Sequence, residues 1–148
     1  SIGLEALKLR PNLDLFCIDK RIGSKALILE NSKRIGVKPK FIFEEDIDNL
    51  LNTRNLSFFE KPNRLVIGGC NKNTKLQIIN RMAQVMSNGD IIVIPIIDIQ
   101  AIKELKEELE NKNFKTNLNL IQTYKSLSIA EGIRLEPNNP VFLLKGKK

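Results

Sequence analysis

"RLVIGGCNKNTKLQIINRMAQVM", residues 64–86, is the stretch on which the fold turns. The segment "NRLVIGG", 63–69, reads as a short strand that runs straight into two glycines. Beyond them Leu76, Ile79, Ala83 and Met86 recur at spacings of three and four, the mark of a helix with one buried face. Thr74 is expected to cap that helix. Strand, glycine turn and helix thus form one unit, and the chain repeats it on either side.

Upstream, "LDLFCID" (13–19) is a short apolar strand ending on an acid. The helix "SKALILENSKRIG" follows, with Ser24 as the expected N-cap and Gly36 as the C-cap. "KFIFEED" (40–46) is a second strand ending on acids, and residues 46–56 read as a short helix or turn capped by Asp46. Residues 3–10 are a helix with Leu4, Ala6 and Leu7 to one side, stopped by Pro11 and Asn12. Downstream, "NGD" (88–90) is a turn. The unbroken apolar run "IIVIPII" (91–97) is expected to be a strand buried on both faces. Pro95 must then sit near its end, since proline cannot donate to a ladder. Asp98 should cap a helix whose stripe is Ile99, Ile102, Leu105 and Leu109. After Phe114 the pattern changes: "KTNLNLIQTYKSL" alternates around Leu118, Leu120 and Tyr124, and "NPVFLLKGK" closes the chain. A loop with Gly132, Pro137 and Pro140 is expected between them, leaving a terminal antiparallel pair. The order of elements implies an α/β fold with a mostly parallel sheet, and the 148 residues suit one domain.

The chain has no histidine, which excludes His-based triads and His-ligated metal sites. Its two cysteines, Cys17 and Cys70, lie far apart, as expected of reduced thiols in a cytoplasmic protein. No apolar run is long enough for a membrane helix. The formal net charge is +7. Such a balance suits an anionic partner, and a lysine-rich solvated surface gives the same number.

In a mostly parallel sheet, ligands bind at the carboxyl ends of the strands. Asp19 stands there and can accept hydrogen bonds from ribose hydroxyls, or merely pair with Lys20 or Arg21. Asp46 can accept from an adenine amino group, or cap the next helix. Gly68 and Gly69 allow a ligand to approach the backbone, or make a tight turn. Cys70 has no histidine to activate it, so a nucleophilic role is not expected.

An acid, a second acid and two glycines on successive strand ends are together the pattern of a Rossmann-like S-adenosyl-L-methionine-dependent methyltransferase. "SIGLEALKLRPNLDLFCIDKR", "ENSKRIGV", "FIFEEDIDNLL", "RLVIGGCN" and "NPVFLLKGK" resemble the decarboxylating subunit, of CbiT type, of precorrin-6Y C5,15-methyltransferase. The resemblance covers nearly the whole chain. It implies methyl transfer to carbon 15 of a precorrin or cobalt-precorrin, with loss of carbon dioxide from the ring C acetate, in cobalamin biosynthesis. It implies that Asp19 binds the cofactor's ribose with Lys20 beside it. Asp46 and Ile47 would line the adenine pocket, and Gly68 and Gly69 would face the methionine part. Cys70, Asn71 and Lys72 would meet the tetrapyrrole. Lys72, Lys75 and Lys125 are candidates to attract its carboxylates, and no metal is implied. A homo-oligomer and a carbon-5 methyltransferase domain or subunit are the implied partners; membrane and nucleic acid are not.

The chain departs from the family in carrying Cys70-Asn71 where further glycines are usual. The family's glycine-rich turn would lie immediately before Ser1, with Gly3 its trailing edge. A missing first strand and turn, and therefore weak cofactor binding by these residues alone, are the expectation. Two rival readings stand beside it: an RNA methyltransferase or RNA-binding module, and a non-catalytic fragment without cofactor binding.

Overall fold

A computed structural model describes residues 2–53 and 61–148. Their backbone contacts divide the chain into two compact units, Ser1–Asn55 and Leu56–Lys148.

The first unit contains α1 (Ile2–Leu9), β1 (Phe16–Ile18), α2 (Ser24–Ile35), β2 (Phe41–Phe43) and α3 (Ile47–Thr53). β1 and β2 are parallel, with Phe16 opposite Phe41 and Ile18 opposite Phe43. Parallel neighbours need a crossover, and α2 supplies it. The Phe16 and Phe41 rings lie 5.1 Å apart, covering one face of the pair. α1 buries Leu4 and Leu7. A Cβ on Gly3 would meet Leu15 Cδ1 at 3.0 Å, so the missing side chain lets the helix seat against the start of β1.

The start of α2 differs from expectation. Its N-cap is Gly23, at φ 82°, a left-handed conformation that glycine adopts without strain. Ser24 is instead the first helical residue, buried, and its hydroxyl donates to the Asp19 carbonyl at 3.2 Å. The other end is as expected: Gly36, at φ 75°, donates to the Ser32 and Lys33 carbonyls.

The second unit contains β3 (Arg64–Val66), α4 (Lys72–Val85), β4 (Ile91–Ile96), α5 (Gln100–Asn111), β5 (Lys115–Ile121), β6 (Tyr124–Ile129), β7 (Gly132–Pro137) and β8 (Val141–Lys147). Its main sheet runs β3-β4-β8-β5. β3 and β4 are parallel, and β8 lies antiparallel between β4 and β5. Ile92, Ile94 and Leu144 are fully buried, as are Ile79 of α4 and Leu105 and Leu109 of α5. Gly146 permits this: a Cβ there would sit 3.2–3.3 Å from Phe114 and Leu109.

Several local expectations shift. β4 is not equally buried on both faces: Ile92, Ile94 and Ile96 are buried, whereas Ile91, Val93 and Pro95 are half-buried. The buried line of α5 is Ala101, Leu105 and Leu109, and Ile99 is 68% exposed. Asn71, not Thr74, caps α4, its Oδ1 accepting from the Thr74 N–H at 2.9 Å. The long alternating strand after Phe114 is two strands, β5 and β6, broken at Gln122-Thr123. The segment expected as a loop with Gly132 and Pro137 is β7, which pairs with β6 in a separate two-stranded hairpin. Pro137 is tolerated because it ends the strand.

Candidate functional site

Both strands of the first unit deliver acids at their carboxyl ends. The Asp19 N–H bonds to the Phe43 carbonyl at 3.1 Å, which holds the end of β1 against the end of β2. The Asp19 carboxylate, 28% exposed, is gripped by Arg21: Nη2 donates to Oδ2 at 2.6 Å, and Nε and the backbone N–H each donate to Oδ1 at 3.0 Å. The Arg21 side chain lowers the Asp19 pKa most, followed by the Arg21 backbone N–H. Beyond the end of β2, Asp46 Oδ1 accepts the Asp48 N–H at 3.1 Å and so caps α3, while Oδ2 meets Lys20 Nζ at 3.4 Å. The Asp48 N–H, then Lys20, depress its pKa. The structure therefore joins Asp19, Lys20, Asp46 and Ile47 in one cluster, and it also realises the cap and ion pair that the sequence allows.

Glu44 belongs to the same strand end, and sequence reasoning did not single it out. Its Oε2 accepts the Lys25 N–H at 3.0 Å, placing the carboxylate at the start of α2. Negative charge is favoured there, and the Lys25 and Gly23 N–H groups lower its pKa. The clue was the run "FEED", three acids closing one strand. Asp48 Oδ1 adds a buried polar atom with no hydrogen-bond partner among the described residues.

Glu110 is lowered too, by the Thr116 hydroxyl, and with these three carboxylates it gives a pH prediction. Their folded values lie below the ordinary 3.8 for Asp and 4.5 for Glu. Their stabilisation is complete above those unfolded values and is lost as pH falls through the folded ones. The urea midpoint should be flat from about pH 7 to about pH 5 and fall steeply below about pH 4. A midpoint that rises on acidification would contradict these hydrogen bonds.

In the second unit, β3 passes through buried Ile67, whose N–H bonds to the Val93 carbonyl at 2.9 Å, into the Gly68-Gly69 turn. Gly69 has φ 73°. A Cβ on either glycine would meet nothing within 4 Å, so the space above this backbone is open. The Lys75 ammonium donates to the Cys70 carbonyl and braces the turn. Asn71 spends its Oδ1 on the α4 cap. Lys72 Nζ pairs with Glu104 at 2.7 Å. Lys125 lies on the hairpin, paired with Glu136 at 2.8 Å. Gly3 sits inside α1, against Leu15.

No protein-family model matches the chain, and no curated protein does. Solved structures do. A precorrin-6Y C5,15-methyltransferase from Geobacter metallireducens superposes with a TM-score of 0.82 at 21% identity, covering 100% of this chain and 73% of that one. The chain has the Rossmann-like methyltransferase fold. The precorrin-8W decarboxylase of Methanobacterium thermoautotrophicum gives a TM-score of 0.77 at 19% identity, over 97% of this chain and 75% of that one. The N-methyltransferase NodS of Bradyrhizobium japonicum, solved in complex with S-adenosyl-L-homocysteine, gives 0.55 at 13% identity, over 98% and 72%. In a fold of this kind, parallel strands bring their carboxyl ends to the ligand side. Asp19 and Asp46 follow the carboxyl ends of β1 and β2 in the first unit, and Gly68-Gly69 follow that of β3 in the second. Among the described residues no helix is long and apolar enough to cross a membrane.

Proposed function

We propose that the protein is an S-adenosyl-L-methionine-dependent methyltransferase of cobalamin biosynthesis. It methylates carbon 15 of a precorrin and releases carbon dioxide from the ring C acetate. The observation that carries the reading is the pair of parallel strands that deliver Asp19 and Asp46 side by side, in a fold shared with precorrin methyltransferase structures. The residues fit the cofactor. Asp19 retains acceptor capacity for ribose hydroxyls because Arg21, 82% exposed, can swing away at little cost. Lys20 flanks it, and Asp46 with Ile47 takes the adenine. Gly68 and Gly69 leave the open space that the methionine part needs. Gly3, in the first turn of α1, belongs to the same reading.

The cofactor, when bound, supplies a methyl group already activated on a sulfonium. The chain's task is then to align that group with the macrocycle, and alignment alone accounts for large accelerations. Hence the lack of histidine is no obstacle. Cys70 and Asn71 border the substrate side of the turn. Lys72 and Glu104 are both partly exposed, so a substrate carboxylate can replace Glu104 as the lysine's partner. The positive net charge favours a polycarboxylate. One domain over residues 1–148, a homo-oligomer, a carbon-5 methyltransferase partner and a cytoplasmic setting belong to the same proposal.

Calorimetry with S-adenosyl-L-methionine tests the cofactor, and mass spectrometry of a precorrin incubated with it tests the reaction. Micromolar binding by the protein is expected, with a product that has gained one methyl group and lost one carbon dioxide. No heat at millimolar cofactor sinks the reading.

A further inference from the structure

The carboxyl ends of α1 and α2 meet on the side of the first unit opposite Asp19 and Asp46. Leu9 leads through Pro11 towards β1, and Ile35 leads through Gly36 towards β2, so both helix ends stand where the strands begin. Backbone bonds tie the two connections together: the Lys40 N–H donates to the Leu15 carbonyl at 2.9 Å. At this end lies a cleft of about 350 Å³, within the range of small-molecule sites.

The lining has two characters. Leu7, Pro11 and Val37 are apolar, and Leu7 is buried. Lys8 and Lys38 bring charge. The Lys8 ammonium donates to the Ile35 carbonyl at 2.9 Å and so braces α1 against the end of α2.

The charge of the surrounding chain has one sign. Segments 6–13 and 31–38 contain Lys8, Arg10, Lys33, Arg34 and Lys38, and no acid. All five bases are exposed. The ion pairs of this unit among the described residues are Lys20–Asp46, Arg21–Asp19 and Lys40–Asp14, and none of the five takes part in them. Bases belong at helix carboxyl ends, but each end carries only about half a negative charge. Two ends offset about one of the five cations, which leaves a surplus of about four on the segments that form the cleft. A concave surface focuses the field of such charges on whatever enters it.

We propose that this cleft is a second ligand site, one that takes a small organic anion with an apolar body. The body would cover Leu7, Pro11 and Val37, and the anionic group would meet the ammonium groups of Lys8 and Lys38. Lys8 can keep its carbonyl bond while it does so, since an ammonium has three donors. The cleft lies at the amino ends of β1 and β2, and Asp19 and Asp46 follow the carboxyl ends, so the proposal is independent of the enzymatic reading.

Fluorescence titration with anilinonaphthalene sulfonate, an aromatic sulfonate, tests it. One site with a dissociation constant of about 10–100 µM is expected, the affinity of an aromatic ligand of that size at ordinary efficiency. Lys38→Glu should weaken binding about tenfold, because a charge-assisted contact is lost and a repulsion takes its place. Lys103→Glu is the control: it makes the same change of net charge on α5, in the second unit, and should leave the affinity unaltered. Phenylnaphthylamine, which lacks the sulfonate, should bind about tenfold more weakly or worse. Saturating S-adenosyl-L-methionine should not displace the sulfonate, and circular dichroism of both variants should match wild type. Absence of binding, equal effects of the two lysine substitutions, equal affinity for the uncharged probe, or displacement by S-adenosyl-L-methionine overturns the proposal.

Discussion

Leu144→Ala should lower stability by about 3–4 kcal/mol, the range for a fully buried leucine whose cavity cannot collapse. Leu144 is fully buried on the central strand, between Ile94 of β4 and Leu118 of β5. Its neighbours are pinned by two ladders, so little relaxation is available. For a chain of this size the loss corresponds to a fall of about 10 °C in the thermal midpoint. Leu120→Ala is the control. It lies on the adjacent strand but is 56% exposed, and its midpoint should move by no more than about 2 °C. Thermal melts followed at 222 nm (a wavelength of about the helix minimum) decide the matter. Equal shifts for the two variants would mean that the sheet is not centred on β8.

Asp19→Ala should weaken S-adenosyl-L-methionine binding about 10- to 100-fold, as expected when a charged hydrogen-bond acceptor is lost. Arg21→Ala should do the opposite or nothing. It removes the guanidinium that competes for the same carboxylate, and an exposed ion pair contributes at most about 1 kcal/mol. Calorimetry reads both. The opposite signs matter, since general damage to the β1–α2 turn would weaken binding in both variants. Unchanged affinity in Asp19→Ala would remove the ribose assignment even if methyl transfer were observed.

The strands and helices were legible where periodicity and punctuation agree. The α4 stripe at Ile79, Ala83 and Met86 and the strand ends at Asp19 and Gly68 follow from spacing alone. Capping was harder to read. Gly23 and Asn71 outcompete Ser24 and Thr74 because a cap is chosen by backbone conformation one residue before the helix, and side-chain preference cannot see φ. α2 shows another limit: it buries Ser24 and Ser32 while Leu27 is 60% exposed. A short hydroxyl can satisfy itself on a local carbonyl, as both serines do, at Asp19 and Leu29. The hairpin was misread because Gly132 and Pro137 resemble loop punctuation, although each stands at a strand end where it breaks no ladder bond. At the candidate site, residue types and strand-end positions were legible. The present partners of the carboxylates were not, since Arg21, Lys20 and the α2 N-terminus reach them through turns that hydrophobic pattern does not encode.

The position of β8 also bears on how the protein is made. β8, an inner strand of the second unit's main sheet, is the last of that sheet's four strands to be synthesised, so β4 waits with an open apolar edge while α5, β5 and the hairpin emerge. Pairing across such a separation is slow to close and exposed to wrong partners until it does. Nascent chains stalled before Val141 should therefore be the species that chaperones hold and proteases find, and completion of the closing strand the event that releases them.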